Sequence, residues 1–394
     1  MTYDFDEVIE RKNTDSLKFD FARERGRPEG LLSMWVADMD FRVPPCVTRE
    51  LERIVRHGIY GYTETKEDYF DAVAAWFREG FGFDTQPEWL VKTPGVVFSL
   101  GMAVQAFTKP GDAVIIQQPV YYPFSEVVRD NGRVLVNNSL VYENGRYSID
   151  FEDFERKIID NNAKLFLLCS PHNPVGRVWT RGELLRLGEI CLRHGVTVVA
   201  DEIHCDFVYS GHTHTIFPSL SPELAQISVL CTAPSKTFNL AGLQASNIFI
   251  PNPALREKFR GAIAGTGYSQ LNTTGLAACR AAYSGGREWL EQLKAYLTGN
   301  LDFLRGFVAE RLPGVELVEP EGTYLIWMDF RALGLDRREL ESLIVDRAKL
   351  WLDGGHIFGS DGEGFERFNI ACPRSVLREA LERLERAIGQ LKGA

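Results

Sequence analysis

The chain has 394 residues, 45% of them hydrophobic and 25% charged, and a net charge of −10. That length exceeds the size at which single cores stop growing, so two lobes are expected, and an acidic surface with scattered Lys and Arg argues against a nucleic-acid partner. The N-terminus is acidic without an apolar leader, the longest apolar runs are far short of a membrane span, and seven cysteines without a CxxC pair fit a reduced cytoplasm.

In chain order, residues 1–44 read as an N-terminal arm that completes the C-terminal lobe. From about residue 89, β-branched runs alternate with amphipathic stretches. The runs 113–117, 133–136, 165–169, 196–200, 227–231 and 246–250 predict strands, and 98–108 and 181–194 predict helices, the second closed by Gly195. Unbroken apolar strands with helical crossovers predict an α/β large domain over 45–286, its mostly parallel sheet covered on both faces. After residue 287 the pattern changes. Long helices at 287–311 and 375–391 flank short strands at 324–329 and 365–370, which predicts a smaller α+β domain over 287–394.

Ligands collect where the strands of such sheets end, and four strand ends here carry unusual polar groups. Lys92-Thr-Pro-Gly95 opens a helix whose free N–H groups suit a phosphate, although a glycine turn alone says little. Asn173 leaves an apolar strand in a double-proline turn, and alone reads as a turn residue. Asp201 follows Thr-Val-Val-Ala and alone reads as a helix cap. Lys236 stands in Ala-Pro-Ser-Lys-Thr-Phe-Asn with hardly any charge nearby. A surface lysine is the ordinary reading, but desolvation lowers a lysine pKa as a Schiff-base amine requires. Asn173, Asp201 and Lys236 follow one another at spacings of 28 and 35 residues, each just after a strand. Together they mean far more than singly.

In these motifs the chain resembles the fold-type I pyridoxal-phosphate (PLP) enzymes of the aminotransferase-like superfamily. It is most similar to their MalY/PatB group of cystathionine β-lyases. The likeness runs through Met34-Trp-Val-Ala-Asp-Met-Asp-Phe41, His57-Gly-Ile-Tyr-Gly-Tyr-Thr63, Gln118-Pro-Val-Tyr-Tyr-Pro-Phe124, Asp201-Glu-Ile-His204, the Lys236 segment to Gly242, and Phe368-Asn-Ile-Ala-Cys-Pro-Arg374. It implies an aspartate-aminotransferase-like seven-stranded sheet and PLP on Lys236, which also removes the substrate Cα proton. It implies that Asp201 pairs with the pyridinium nitrogen, Asn173 donates to the ring oxygen, and Tyr121 stacks on the ring. Gly95, Val96 and Val97 would bind the phosphate through their amides, helped by Ser235 and by Tyr62 from a second subunit, which makes the enzyme a homodimer. His204 would line the cofactor where aminotransferases usually carry tyrosine, and Gln244 replaces their usual phosphate-binding arginine. Arg374 would grip the substrate carboxylate, with Tyr122 and Trp35 on the substrate side.

The resemblance favours α,β-elimination from L-cystathionine or related cysteine S-conjugates over transamination. Residue spacing alone leaves both open, together with a role as a regulatory PLP-binding protein. His204, Cys205, His212 and His214 match no standard zinc spacing, and a small-molecule amino-acid substrate is expected with no membrane partner.

Overall fold

A computed structural model describes residues 2–391. Its largest layer is a seven-stranded sheet of β1 (Leu90–Thr93), β2 (Ala113–Ile116), β3 (Val134–Asn137), β4 (Leu165–Cys169), β5 (Thr197–Asp201), β6 (Ser228–Thr232) and β7 (Ser246–Phe249). The spatial order is β1-β7-β6-β5-β4-β2-β3, and only β7 runs antiparallel to its neighbours. Strands β2, β4 and β6 are buried at every residue, which is why they read as unbroken apolar runs. Helices α1 (Val96–Phe107) and α2 (Arg181–His194) follow β1 and β4. A Thr180–Glu183 capping box opens α2 and Gly195 in the left-handed region closes it.

The register pairs Cys169 with Asp201 and Asp201 with Cys231, so β4, β5 and β6 end on one edge. The segments bearing Asn173, Asp201 and Lys236 therefore leave the sheet side by side. Asp201 is the last residue of its strand rather than the cap that follows one.

A second, antiparallel sheet contains β8 (Glu316–Leu317), β9 (Leu325–Asp329), β10 (Asp353–Gly354) and β11 (Phe365–Asn369), in the order β8-β9-β11-β10. Helices α3 (Arg287–Arg311) and α4 (Arg374–Leu391) pack with it. The N-terminal segment joins this lobe, since Leu32–Ser33 pairs in parallel with Leu350–Trp351 and Trp35 stacks on Trp351 at 4.6 Å. Arg11 and the buried Lys18 both bond Asp38 and Asp40, and Asn239 ties the backbone of residues 39 and 41 to the loop after Lys236.

The lobes meet closely at Gly322, where a Cβ would lie 2.7 Å from the Phe207 carbonyl oxygen. Beside it, Glu321 accepts from Arg177 Nε and the Val178 amide, holding the Asn173 turn against the second sheet. Among the described residues no helix is long and apolar enough to cross a membrane.

Candidate active site

The edge where β4, β5 and β6 end borders a pocket that encloses about 710 Å³ of atom-free space, its mouth included. Lys236 enters it from a single turn of helix, Pro234–Thr237. Its Nζ donates to the Ala37 carbonyl at 2.7 Å, an acceptor shared with Tyr324 Oη at 3.1 Å. Burial, reinforced by the Arg367 charge, pulls the amine down to about 8, against the pull of Asp38 and Asp201. Asp201 faces the same space, and among the described residues only its Oδ1 has a partner, the Ile203 amide at 3.1 Å. Burial pushes this carboxyl up to about 7. No hydrogen bond or ion pair joins the two groups, and the attraction between them only partly offsets desolvation.

Asn173 accepts from Arg367 Nη1 through Oδ1 at 3.0 Å, which turns its amide nitrogen away from Arg367. Its own carbonyl accepts from the Tyr121 amide at 2.9 Å and so fixes the Tyr121 ring on the pocket wall. His204 lines the pocket too. Burial lowers its pKa well below the ordinary value, so the imidazole is neutral, and its Nδ1 is buried without a partner. At the far end, α1 begins at Val96 with Gly95 as an N-cap that offers no side-chain bond. The unsatisfied amides and the positive end of the helix dipole there face the pocket beside Ser235 and Gln244.

These residues fit PLP by chemistry. The open helix end suits its phosphate, the half-satisfied carboxylate of Asp201 its pyridinium, the free amide nitrogen of Asn173 its ring oxygen, and a lysine amine with a lowered pKa its aldehyde.

Thr232, His214, Tyr62, Trp35 and Tyr122 do not line the pocket. The Thr232 hydroxyl is spent on the Asn247 carbonyl at 2.7 Å, which leaves Ser235 as the pocket hydroxyl of this segment. His214 does not join His204 but bonds Glu202 at 2.6 Å. Tyr62 lies fully in solvent within this chain, at 99% exposure. The Trp35 indole packs on Trp351 and donates to the Lys18 carbonyl, so only its backbone oxygen serves the site. Tyr122 is half-buried with its ring 5.0 Å from that of Tyr121.

Arg374 is a correction. It is the first residue of α4, where its amide donates to Tyr296 Oη and its guanidinium bonds Asn300 Oδ1, 5.6 Å from the Tyr296 and Phe303 ring centres. None of these partners lines the pocket.

The cation that does reach the cleft is Arg367, which sequence reading missed. It is buried in β11, where Nη1 meets Asn173 and Nη2 meets both the Trp35 carbonyl and Asp353, its opposite number on β10. Its Nε is buried with no partner, a donor left over for an incoming acceptor. The available signal was an arginine inside Phe-Glu-Arg-Phe-Asn, where period-2 alternation puts it on the same face as Phe365 and Asn369.

Comparison with known proteins agrees with this geometry. The aminotransferase class I and II family profile matches residues 32–384. Cystathionine beta-lyase PatB of Bacillus subtilis is 47% identical over 384 residues, 98% of this chain and 99% of that protein. The structure of cystalysin from Treponema denticola, which contains PLP, superposes with a TM-score of 0.96 at 40% identity, covering 99% of this chain and all of that one. The PLP-bound C-S lyase of Staphylococcus hominis gives 0.92 at 33% identity over 98% of both chains.

Proposed function

The chain belongs to the aminotransferase class I and II family, and on that premise we propose that it is a PLP-dependent carbon–sulfur lyase. Its reaction cleaves the Cβ–S bond of L-cystathionine or another cysteine S-conjugate and, with one water, yields pyruvate, ammonia and a thiol. The observation that carries this reading is the convergence of Lys236, Asp201, Asn173 and an open helix end on one buried pocket with Arg367 at its side. The 47% identity to a cystathionine β-lyase favours elimination over amino transfer.

When bound, PLP supplies an electron sink for negative charge at the substrate Cα. The chain's own groups do the rest. Arg367, not Arg374, grips the α-carboxylate, offering its unpaired Nε while Asp353, Asn173 and the Trp35 carbonyl hold the guanidinium still. Lys236 takes the Cα proton, and the pair of the breaking Cβ–S bond leaves on sulfur as thiolate. A base with a pKa near 8 is well matched to that task at neutral pH. The Ala37 carbonyl gives the amine a resting place whenever it is not bonded to cofactor. With PLP bound, Asp201 would keep the ring nitrogen protonated and Tyr121 would hold the ring face.

The cofactor site is completed across a homodimer by Tyr62, which is exposed, as are Val55, Ile59 and Tyr60 nearby in the chain. The test is incubation with L-cystathionine while pyruvate is followed, in parallel with L-alanine plus 2-oxoglutarate. Pyruvate and thiol in equal amounts are expected. Fast amino transfer without pyruvate would make the protein an aminotransferase.

A further inference from the structure

On the opposite face of β10 and β11 from the catalytic cleft lies a second charged cavity. Neighbouring side chains of a strand point to opposite faces. On β11, Arg367 enters the cleft and Glu366 enters this cavity. Arg27, Arg337, Glu341, His356, Glu363 and Glu366 line it over an apolar floor. It holds about 410 Å³ of atom-free space, its mouth included, so an occupant would be a small molecule.

Two ionisable groups in it, a buried carboxyl and a guanidinium on the rim, lack partners among the described residues. Glu366 is only 5% exposed, yet no described residue donates a hydrogen bond to its carboxyl or pairs with it. A Cβ on Gly354, its partner across the ladder, would lie 2.9 Å from the His356 ring and 3.5 Å from Glu366 Oε1, so the glycine lets the His356 ring lie over the strand beside that carboxyl. Burial and the nearby Asp353 push this carboxyl up to about 8. Arg27 cannot serve it fully, being paired with Glu341. His356 is neutral, because burial and the Arg337 charge lower its pKa. Arg337, exposed on the rim at the first position of a helix, has no ion-pair partner among the described residues.

A lone cation here would meet Arg27 and Arg337, and a lone anion would meet three carboxyl groups. We propose that the cavity binds a small α-amino acid as its zwitterion, ammonium on Glu366 and carboxylate on Arg337. Glu363 is a second acceptor for the ammonium, and the narrow apolar floor restricts the side chain to hydrogen or methyl.

The test is calorimetric titration of the PLP-loaded enzyme with glycine after its catalytic cleft has been blocked by aminooxyacetate. One saturable site per chain is expected. Glu366→Gln, which keeps the shape, and Arg337→Ala, which alters an exposed residue, should each weaken binding by about tenfold or more. Acetate and methylamine, each carrying one charge, should bind more weakly than glycine. The absence of saturable binding, binding kept by Arg337→Ala, or acetate or methylamine binding as tightly as glycine would overturn the proposal. If Glu366→Gln fails to fold, Arg337→Ala decides.

Discussion

The two walls of the cleft hold their charges in contrasting ways. On the large-sheet wall, the half-buried Lys236 and the buried Asp201 have one hydrogen bond each, and desolvation drives the lysine down to about 8 and the aspartate up to about 7. On the small-sheet wall, Arg367 is already matched by Asp353, Asn173 and the Trp35 carbonyl. The first wall is unsatisfied and gains its partners from a cofactor that brings a cationic ring and an aldehyde. The second is preorganised, with one unspent donor for a substrate carboxylate. A buried charge kept in place for binding must be paired beforehand, whereas a group that must change protonation or bonding is better left unpaired.

The sharpest way to break this comparison is Lys236→Ala. Losing the covalent anchor and the base together should cost activity at least about 10³-fold while the fold persists. Borohydride reduction of the PLP-loaded protein followed by peptide mapping should mark Lys236, and a label on another lysine would displace it from the mechanism.

The second wall is tested by a pair of variants. Arg367→Lys keeps the charge but loses the planar fork, so kcat/KM should fall roughly 10- to 100-fold, the equivalent of about 1.5–3 kcal/mol for a charge-assisted bond, with PLP content unchanged. Arg374→Lys should leave kcat/KM as it is, because its contacts lie among Tyr296, Asn300 and Phe303. The reverse pattern would return the carboxylate to Arg374.

The first wall was legible in sequence because its chemistry stands at strand ends in a parallel sheet, where apolar runs and turn residues are local signals. Even there, the strand expected to stop at residue 200 continues through Asp201, whose backbone pairs with both neighbours. The second wall was not legible. Phe-Glu-Arg-Phe-Asn reads as a half-solvated strand, and only the arm carbonyl 332 residues away and Asp353 make Arg367 a buried cation. Arg374 drew attention through the Phe368-Asn-Ile-Ala-Cys-Pro-Arg374 motif of the family resemblance. That position is the start of α4, and its side chain is fixed by residues of α3 that no local pattern connects to it.

A pH titration sharpens the contrast at Asp201. An acid whose folded pKa lies above its unfolded value favours the folded state at low pH, and that advantage is lost as pH rises through the folded pKa. The Tm of the PLP-free protein should therefore fall by several degrees relative to Asp201→Asn between about pH 4 and pH 7. Parallel Tm profiles for the two proteins would mean that Asp201 is not held protonated by burial.

The smallest expected effect concerns Tyr62 and the proposed partner subunit. Tyr62 is 99% exposed, and its hydroxyl has no partner among the described residues, while Gln244 stands on the pocket wall where a phosphate-binding arginine would otherwise stand. If Tyr62 serves the phosphate of a partner subunit, Tyr62→Phe should weaken PLP retention by about tenfold or less, one hydrogen bond to a charged group, and the change should appear in the PLP dissociation constant. The intersubunit part has its own measurement. Mixed dimers of a Lys236→Ala chain and a chain impaired at Tyr62 carry both defects in one site and neither in the other. Activity should then reappear toward half of the wild-type value per dimer. Mixed dimers that form but show no recovery would put Tyr62 within its own chain's site or outside catalysis altogether, and the large-sheet wall would then have to hold the phosphate with the α1 amides and Ser235 alone.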